Sequence, residues 1–454
     1  MGNLKFRTLV IGGVSAMVLA ACQLATAPET AALLPDDADV AAVTSEASSL
    51  DASVPVFSEE GIAALEARMG QYVADGHVYG VATRLVQGGE IVSDYHTGLM
   101  RLEAQTPIAD DTIYRIYSMT KPITGVAMMM LWEEGAFSLD DPVTKYVPEF
   151  DELRVMDGVN EDGTPILVDL ERPPTMRELM SHTAGFAYGL SGTDPANTAF
   201  REQKILEAPD LETFIDLVAD VPLLFQPGDA WAYSAAVDIQ GHIVQKLSGQ
   251  SFGEFLETRM FSPLGMTDTA FAVGPDKYVR FSEVYGRDPD SGALVPIPYP
   301  TVQFTPETIP FESGGGGLTS TMDDYARFCQ MLLNGGTLDG AQILKPETVK
   351  LMRTNVLTEG IMLSSDGSNQ GETRPGIGFG LDLGLVTDAE AVGSPYGEGT
   401  YFWGGAAGTW FWIDPENDLF FIGMIQTFDR EGPIGKIREV SADHVYAAMA
   451  DEDS

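Results

Sequence analysis

Apolar residues recur at helical spacing in some segments and alternate with polar residues in others. A helix is predicted to begin near Ser58, because Ile62, Leu65, Met69 and Val73 recur three or four residues apart and share one face. The same periodicity predicts further helices at 175–182, 211–219, 237–248 and 253–261, and a last one across "REVSADHVYAAMA".

Strand patterns lie near the two ends of the chain. Residues 78–99 predict two strands around a Gly-Gly turn. Residues 400–426 predict strand, turn and strand, with "DPEND" as a hairpin loop. Strands at both ends with helices between them indicate an α+β fold. We expect one antiparallel sheet built from both termini, flanked by helices, with a helical insertion.

The N-terminus has the pattern of an export signal. A basic start is followed by an apolar run that is too short to span a membrane comfortably and ends in "LAAC". This ending resembles a lipobox and predicts lipidation at Cys22, although ordinary cleavage after Ala27 stays open. We expect a signal peptide at 1–21, a flexible linker at 22–56 and a catalytic domain at 57–450. The chain is then an exported bacterial envelope protein, in the periplasm or at the cell surface.

Composition narrows the class of partner. The 454 residues carry 67 acidic and 26 basic side chains, a formal charge of −41. Such a chain is repelled by nucleic acid and anionic lipid, so we expect neither as a partner, and membrane contact only through a lipid anchor. The histidines and cysteines show no metal-ligand spacing, so neither a metal nor a cofactor is expected. Oligomeric state is left open.

The candidate chemistry lies at Ser118 and Lys121. One helical turn separates them, so an uncharged lysine amine can reach the serine hydroxyl and take its proton. Free N–H groups at the start of the same helix can stabilise an oxyanion. The alternative makes Ser118 a helix cap and Lys121 a solvated side chain.

Two other serine or glycine patterns have structural interpretations. Gly249–Gly253 matches the G-x-S-x-G elbow, but it follows a helical pattern, and Ser251 with Glu254 reads as a capping box. The glycine run 314–317 lacks the context of a phosphate loop and is expected near the floor of the active site. His182 is expected to hydrogen-bond a loop.

Several ordered motifs together resemble the serine β-lactamase-like superfamily. They are "SMTK" at Ser118, "SHTAGF", "YSA" at Tyr233, "SGGGGLTSTMDDYARF" and "WGGAAGTWFW". The resemblance implies a β-lactamase/transpeptidase-like fold over about residues 58 to 450. It implies that Tyr233 shares the proton transfer with Lys121, and that the N–H groups of Ser118 and Ala406 bind the oxyanion.

Departures from the superfamily pattern bear on the substrate. Ala235 stands where β-lactamases carry asparagine, and Trp403, Gly404 and Gly405 replace the K-T-G motif. The chain therefore lacks an amide and a cation that would bind a carboxylated β-lactam. The pattern resembles the family VIII carboxylesterases, which implies hydrolysis of a small-molecule ester through acyl-Ser118. The alternatives are a β-lactamase, a D-amino-acid peptidase, an acyltransferase, or a non-catalytic binder of penicillin or cell-wall peptide.

Overall fold

The structure is a computed structural model. It describes residues 56–190, 192–297, 304–306, 309, 311–363, 374–428 and 432–449. The predicted signal peptide and Cys22 lie outside the described residues, as does the predicted linker except for Val56.

The helices come mainly from the middle of the chain. They are α1 Glu59–Ala74, α2 Thr120–Glu133, α3 Met176–Met180, α4 Pro195–Glu202, α5 Leu211–Ala219, α6 Ala236–Ser248, α7 Phe252–Leu256, α8 Ser262–Leu264, α9 Met322–Leu333, α10 Pro346–Met352, α11 Ala389–Val392 and α12 Ile437–Ala448. Within the described ranges, no helix has the length and apolar character that crossing a membrane requires.

The strands form one large sheet and several short pairs. They are β1 Gly80–Gln87, β2 Glu90–Arg101, β3 Thr106–Pro107, β4 Tyr114–Arg115, β5 Arg154–Val159, β6 Pro165–Asp169, β7 Tyr285–Arg287, β8 Leu294–Pro296, β9 Thr319–Ser320, β10 Thr337–Leu338, β11 Ala341–Gln342, β12 Ile377–Phe379, β13 Gly384–Val386, β14 Tyr401–Gly404, β15 Trp410–Asp414 and β16 Leu419–Met424.

The large sheet joins the two ends of the chain. Its eight strands run in the order β12-β13-β14-β15-β16-β1-β2-β3, and neighbouring strands are antiparallel. Strand β1 pairs with β16 in a register that places Ala82 opposite Met424. The β1–β2 turn has glycine at both positions of positive φ, Gly88 and Gly89, which suits a tight hairpin. The predicted antiparallel sheet with flanking helices is confirmed.

Both faces of the sheet are covered. Helices α1 and α12 pack on one face, where Leu65 and Val445 join a buried cluster with Trp410 and Phe421. The other face carries the larger core, to which α2, α6 and α9 contribute. Because both faces are covered, β15 and β16 are buried along their whole length. Helix α2 thus lies against the sheet with its N-terminus beside strand β14.

Two predicted elements differ from the structure. The C-terminal segment gives three strands rather than two, because β14 and β15 are joined by a second turn before the "DPEND" hairpin. The predicted helix at 253–261 ends early at Leu256 and continues as a π-helical turn, Glu257–Phe261. Pro263 follows at the start of α8, and its missing N–H cannot complete the regular ladder there.

Candidate active site

Ser118 lies in a tight turn between a short strand and α2. Strand β4 leads into the 3-10 turn Tyr117–Met119, and Tyr117 holds a positive φ of 43°. A left-handed backbone is unusual for an aromatic residue and sharply redirects the chain before α2. Met119 occupies the N-cap of α2 with no side-chain cap. The capping alternative for Ser118 is therefore wrong, and its hydroxyl has other partners.

Lys121 is fully buried beside Ser118. Its Nζ lies 3.5 Å from Ser118 Oγ and donates to the Gly315 carbonyl at 2.6 Å. Nζ is also 3.3 Å from the Tyr188 hydroxyl and 4.4 Å from the ring centre of Tyr233. The alternative of a solvated lysine is wrong, since none of this side chain is exposed to solvent.

Tyr233 approaches Ser118 from a distant loop. Its hydroxyl donates to Ser118 Oγ at 2.7 Å, across 115 residues of sequence. Two residues later Ala235 precedes α6, and it is completely buried. Ser118, Lys121 and Tyr233 therefore form one contiguous cluster.

His182 fixes the loop that carries Tyr233. Its Nδ1 accepts from the Ser234 N–H at 3.2 Å and lies 2.9 Å from Ser234 Oγ, and the His182 carbonyl accepts from the Ala232 N–H. Burial, and then the nearby charge of Lys121, hold the pKa of His182 well below its usual range. A neutral ring that receives a backbone N–H at Nδ1 orients the loop, which agrees with the structural interpretation of His182.

The predicted substrate-binding residues lie at the end of β14. Trp403 is buried, with its ring centre 5.7 Å from that of Tyr233. Gly405 allows a close approach, because a Cβ there would lie 2.3 Å from the Ile116 carbonyl oxygen. At Gly404 a Cβ would lie 2.0 Å from the guanidinium of Arg438. Ala406 follows, half-buried in the turn.

A hydrogen bond ties this turn to the Ser118 segment. The Thr409 hydroxyl donates to the Ile116 carbonyl at 3.2 Å, and the Gly405 N–H donates to the Thr409 carbonyl at 2.7 Å. The turn is thus held two residues from the nucleophile candidate. This arrangement places Trp403 beside Tyr233 and Gly405 beside the Ile116 carbonyl, with Gly404 and Ala406 adjoining them in the chain.

Three contributors to the site were missed from the sequence. Tyr188 and the Gly315 carbonyl contact the Lys121 amine, and Asp238 receives the Gly315 N–H at 3.0 Å. The glycine run 314–317, expected near the floor of the site, reaches the Lys121 amine through the Gly315 carbonyl. Asp238 carried one usable signal, because it is an acid within the otherwise apolar start of a predicted helix.

The motifs interpreted as structural lie elsewhere. Ser251 caps α7 in a full capping box with Glu254. His444 lies on α12, where its Nδ1 contacts the Val440 carbonyl. No group of three or more potential metal ligands is found among the residues that the structure describes.

Comparison with known proteins identifies the family to which this chain belongs. A family model described as Beta-lactamase matches residues 65–444. The chain belongs to the beta-lactamase family. It is accordingly an enzyme of the serine hydrolase class, and the predicted superfamily is confirmed.

Named relatives of this beta-lactamase family member include two esterases. Esterase EstB of Burkholderia gladioli is 30% identical over 88% of this chain and 99% of its own. The lovastatin esterase of Penicillium rubens is 31% identical over 74% of this chain and 86% of its own. Among solved structures, EstCE1, "a hydrolase with promiscuous acyltransferase activity", is 25% identical with a TM-score of 0.71. That likeness covers 85% of this chain and 99% of EstCE1.

Proposed function

We propose that this beta-lactamase family member is a carboxylesterase that works through an acyl intermediate on Ser118. The observation that carries the proposal is the contact of Tyr233 Oη with Ser118 Oγ at 2.7 Å, with Lys121 Nζ at 3.5 Å from the same oxygen. A serine hydroxyl becomes a useful nucleophile when such a base takes its proton as it attacks.

The reaction divides into two acyl transfers. Ser118 Oγ bonds to the ester carbonyl carbon while its proton passes to the Tyr233 and Lys121 pair. The carbon–oxygen bond to the alcohol then breaks, and the proton is returned to the departing oxygen. Water then attacks the acyl carbon and gives a proton to the same pair. The bond from that carbon to Ser118 Oγ breaks, the acid is released and the proton returns to Ser118. The N–H groups of Ser118 and Ala406 stabilise the negative oxygen in each step.

The walls of the site favour an ester with an apolar part. Tyr233 and Trp403 pack against the buried rings of Phe379 and Trp231, so the side chains next to Ser118 are largely aromatic. Ala235 offers no polar side-chain atom where a β-lactam amide would need one. Two relatives named as esterases add support, and together with the W-G-G triplet they favour the family VIII type.

A paired substrate assay tests the proposal. We expect the purified chain to hydrolyse p-nitrophenyl butyrate and to turn over nitrocefin far more slowly. Mass spectrometry of the protein quenched during ester turnover should find the acyl group on the peptide that contains Ser118. Nitrocefin turnover above ester turnover would replace the esterase by a β-lactamase, and penicillin labelling without any turnover would leave only a binder.

Acyl transfer to an alcohol is a second candidate. It is favoured by the acyltransferase activity named for EstCE1 and by a 27% identical relative named an acyltransferase, calJ of Penicillium decumbens, over 77% of this chain. If alcohols compete with water for the acyl-enzyme, added primary alcohols will raise the rate of ester loss and yield the new ester. An unchanged rate with only the acid as product would restrict the enzyme to hydrolysis.

Lipid attachment at Cys22 is a separate proposal on the chain's location. It rests on the "LAAC" sequence after an apolar run. In the native bacterium, Cys22→Ala should move the protein from the membrane fraction to the soluble fraction, whereas a protein that stays with the membrane would contradict the anchor.

A further inference from the structure

Asp238 is a completely buried acid next to the candidate active site. It lies in the first turn of α6, five residues after Tyr233, and none of its surface is exposed. Its Oδ1 accepts from the Ser313 hydroxyl at 2.5 Å and from the Gly315 N–H at 3.0 Å. A buried carboxylate with such contacts binds and positions the loop that makes them.

That loop holds the lysine of the site. Gly315 gives its N–H to Asp238 and its carbonyl to the Lys121 amine, at 2.6 Å. A Cβ on Gly315 would lie 2.4 Å from Asp238 Oδ2 and 2.5 Å from the Tyr188 hydroxyl. The backbone of Gly315 is therefore pressed between these side chains, and a larger residue would displace it.

Asp238 contacts both of the groups that, together with Ser118, hydrogen-bond the Lys121 amine. Lys121 Nζ is bonded to the Gly315 carbonyl and lies 3.3 Å from the Tyr188 hydroxyl, which is itself beside the Asp238 carboxyl. The remaining hydrogen-bond partner of the amine among the described residues is Ser118 Oγ, and the Tyr233 ring lies beside it. The position of the amine relative to the nucleophile thus depends on the carboxyl of Asp238.

We propose that Asp238 is a positioning residue for the acyl transfer, which holds the Lys121 amine beside Ser118 and whose negative charge stabilises the protonated amine. This inference rests on the proposed function of the Ser118 and Lys121 pair. It assigns Asp238 no contact with substrate.

Other charged and titratable groups face the same amine. They are Asp382, which accepts from Gln240 at 3.1 Å, the neutral His182, and the phenols of Tyr188 and Tyr233. Burial raises the pKa of Asp238, while Lys121, Ser313 and the Gly315 N–H act in the opposite direction. Burial raises the pKa of Asp382 well above its usual range. Asp238 has more donors to its carboxyl than Asp382, so it is the better placed of the two to carry a charge.

The test is the pH profile of ester hydrolysis for Asp238→Asn, with the same shape and no charge. We expect kcat to fall about 10- to 100-fold from a misplaced amine, with KM changed less than about threefold. The acid limb of the kcat profile should move to lower pH by about half a unit or more, because the amine loses a charge that favours its protonated form.

A matched control separates positioning from stability. Asp324 is also a buried acid in the first turn of a helix, α9, and accepts from the Asp268 N–H at 2.7 Å and the Thr269 hydroxyl at 2.8 Å. Asp324→Asn should lower the melting temperature and leave the acid limb in place. If Asp238→Asn folds poorly, Ser313→Ala removes one donor to the carboxyl and should move the limb in the same direction by less.

The outcomes separate failure of the Asp238 role from failure of the proposed function on which it rests. Wild-type protein without acylation of Ser118 would overturn the proposed function itself. Wild-type acylation together with an unmoved acid limb in folded Asp238→Asn and Ser313→Ala would overturn the role of Asp238 alone. That role would also be overturned if the kcat of each variant falls only in proportion to its folded fraction.

Discussion

Ser118 and Ser251 are two half-buried serines at the starts of helices, and each belongs to a motif typical of serine hydrolases. Their surroundings differ completely. Ser251 Oγ accepts from the Glu254 N–H at 3.2 Å, and the Glu254 carboxylate accepts from the Ser251 N–H at 3.3 Å. Ser118 makes no such cap, and its hydroxyl faces an amine and a phenol.

The difference lies in how far along the chain the partners of each serine are. The partner of Ser251 lies three residues away, so the local sequence alone decides its role. The partners of Ser118 include one from the next helical turn and one 115 residues away. A strained Tyr117 frees Ser118 from capping α2, and the loop at Tyr233 then reaches it. The reactivity proposed for Ser118 therefore depends on the convergence of distant segments, whereas capping is a property of one short segment.

Exchanging each serine for alanine is the sharpest test of that comparison. Ser118→Ala should lower ester hydrolysis at least about a thousandfold, because the nucleophile is lost. Ser251→Ala should keep the rate within about twofold of wild type, since the cap touches no part of the site. Initial rates with p-nitrophenyl butyrate measure both. Comparable losses in the two variants would remove the distinction between the two serines.

Removing the distant partner tests convergence directly. Tyr233→Phe keeps the ring against Trp403 but removes the hydroxyl that lies 2.7 Å from Ser118 Oγ. We expect kcat to fall about 10²- to 10⁴-fold, the usual contribution of a group that transfers a proton. Circular dichroism should show an unchanged fold. Activity of Tyr233→Phe within a factor of three of wild type would show that the Tyr233 hydroxyl is not needed and that Lys121 alone can act as the base.

His182 should have a smaller effect, through the loop. His182→Gln weakens the hold on Ser234 beside Tyr233, so we expect about a tenfold loss of kcat. His242→Gln is the matched control: His242 is also buried with a lowered pKa, but it lines a surface groove with Lys246 and Ser251 and should leave kcat unchanged. Equal kcat in the two variants would contradict the positioning role of His182.

His182 should also make the stability of the protein depend on pH. Because burial lowers the folded pKa of His182, the unfolded chain binds a proton first as the pH falls below about 6.5. The stability from the neutral ring is thus present above this pH and lost below it, by up to about 1.4 kcal/mol per pH unit. Urea unfolding between pH 7 and 5.5 should show a shallower decline in His182→Gln. The same decline in wild type and variant would show that the pKa of His182 does not differ between the folded and the unfolded chain.

The smallest expected effect falls on the cap itself. Ser251→Ala should cost about 1 kcal/mol of unfolding free energy, the usual value for loss of an N-cap side chain. Denaturant unfolding measures it, with Ser251→Asn as a control that keeps a capping oxygen. A cost that is equal for alanine and asparagine would show that the hydroxyl of Ser251 does not stabilise α7.

Local patterns predicted local structure well. Helix α5 has the predicted bounds, and the pairing of strands from the two ends was expected from their positions in the chain. Ser118 and Lys121 could be found from spacing alone, since one helical turn brings them together. Tyr233 was found only through resemblance, because nothing near it in sequence indicates a serine 115 residues away.

The missed contacts have a physical reason. The Gly315 carbonyl is a backbone group, and side-chain patterns carry no information about its partner. Asp238 lies in a helix whose apolar periodicity indicates a core and does not name its partners, and Tyr188 lies in an irregular segment between α3 and α4. The break in the helix after Leu256 depends on Pro263, seven residues on, and a periodic pattern continues smoothly across it.

Because Ala82 on β1 pairs with Met424 on β16, the large sheet can be completed only when synthesis of the chain is nearly finished. A ribosome must add more than three hundred residues after β1 before the partner of that strand exists, and closing so large a loop is slow. Until then β1 has an open, apolar edge on the side that β16 will cover, which is a hazard for aggregation. Chaperones that bind extended apolar segments would therefore be needed most during synthesis of the middle of this chain.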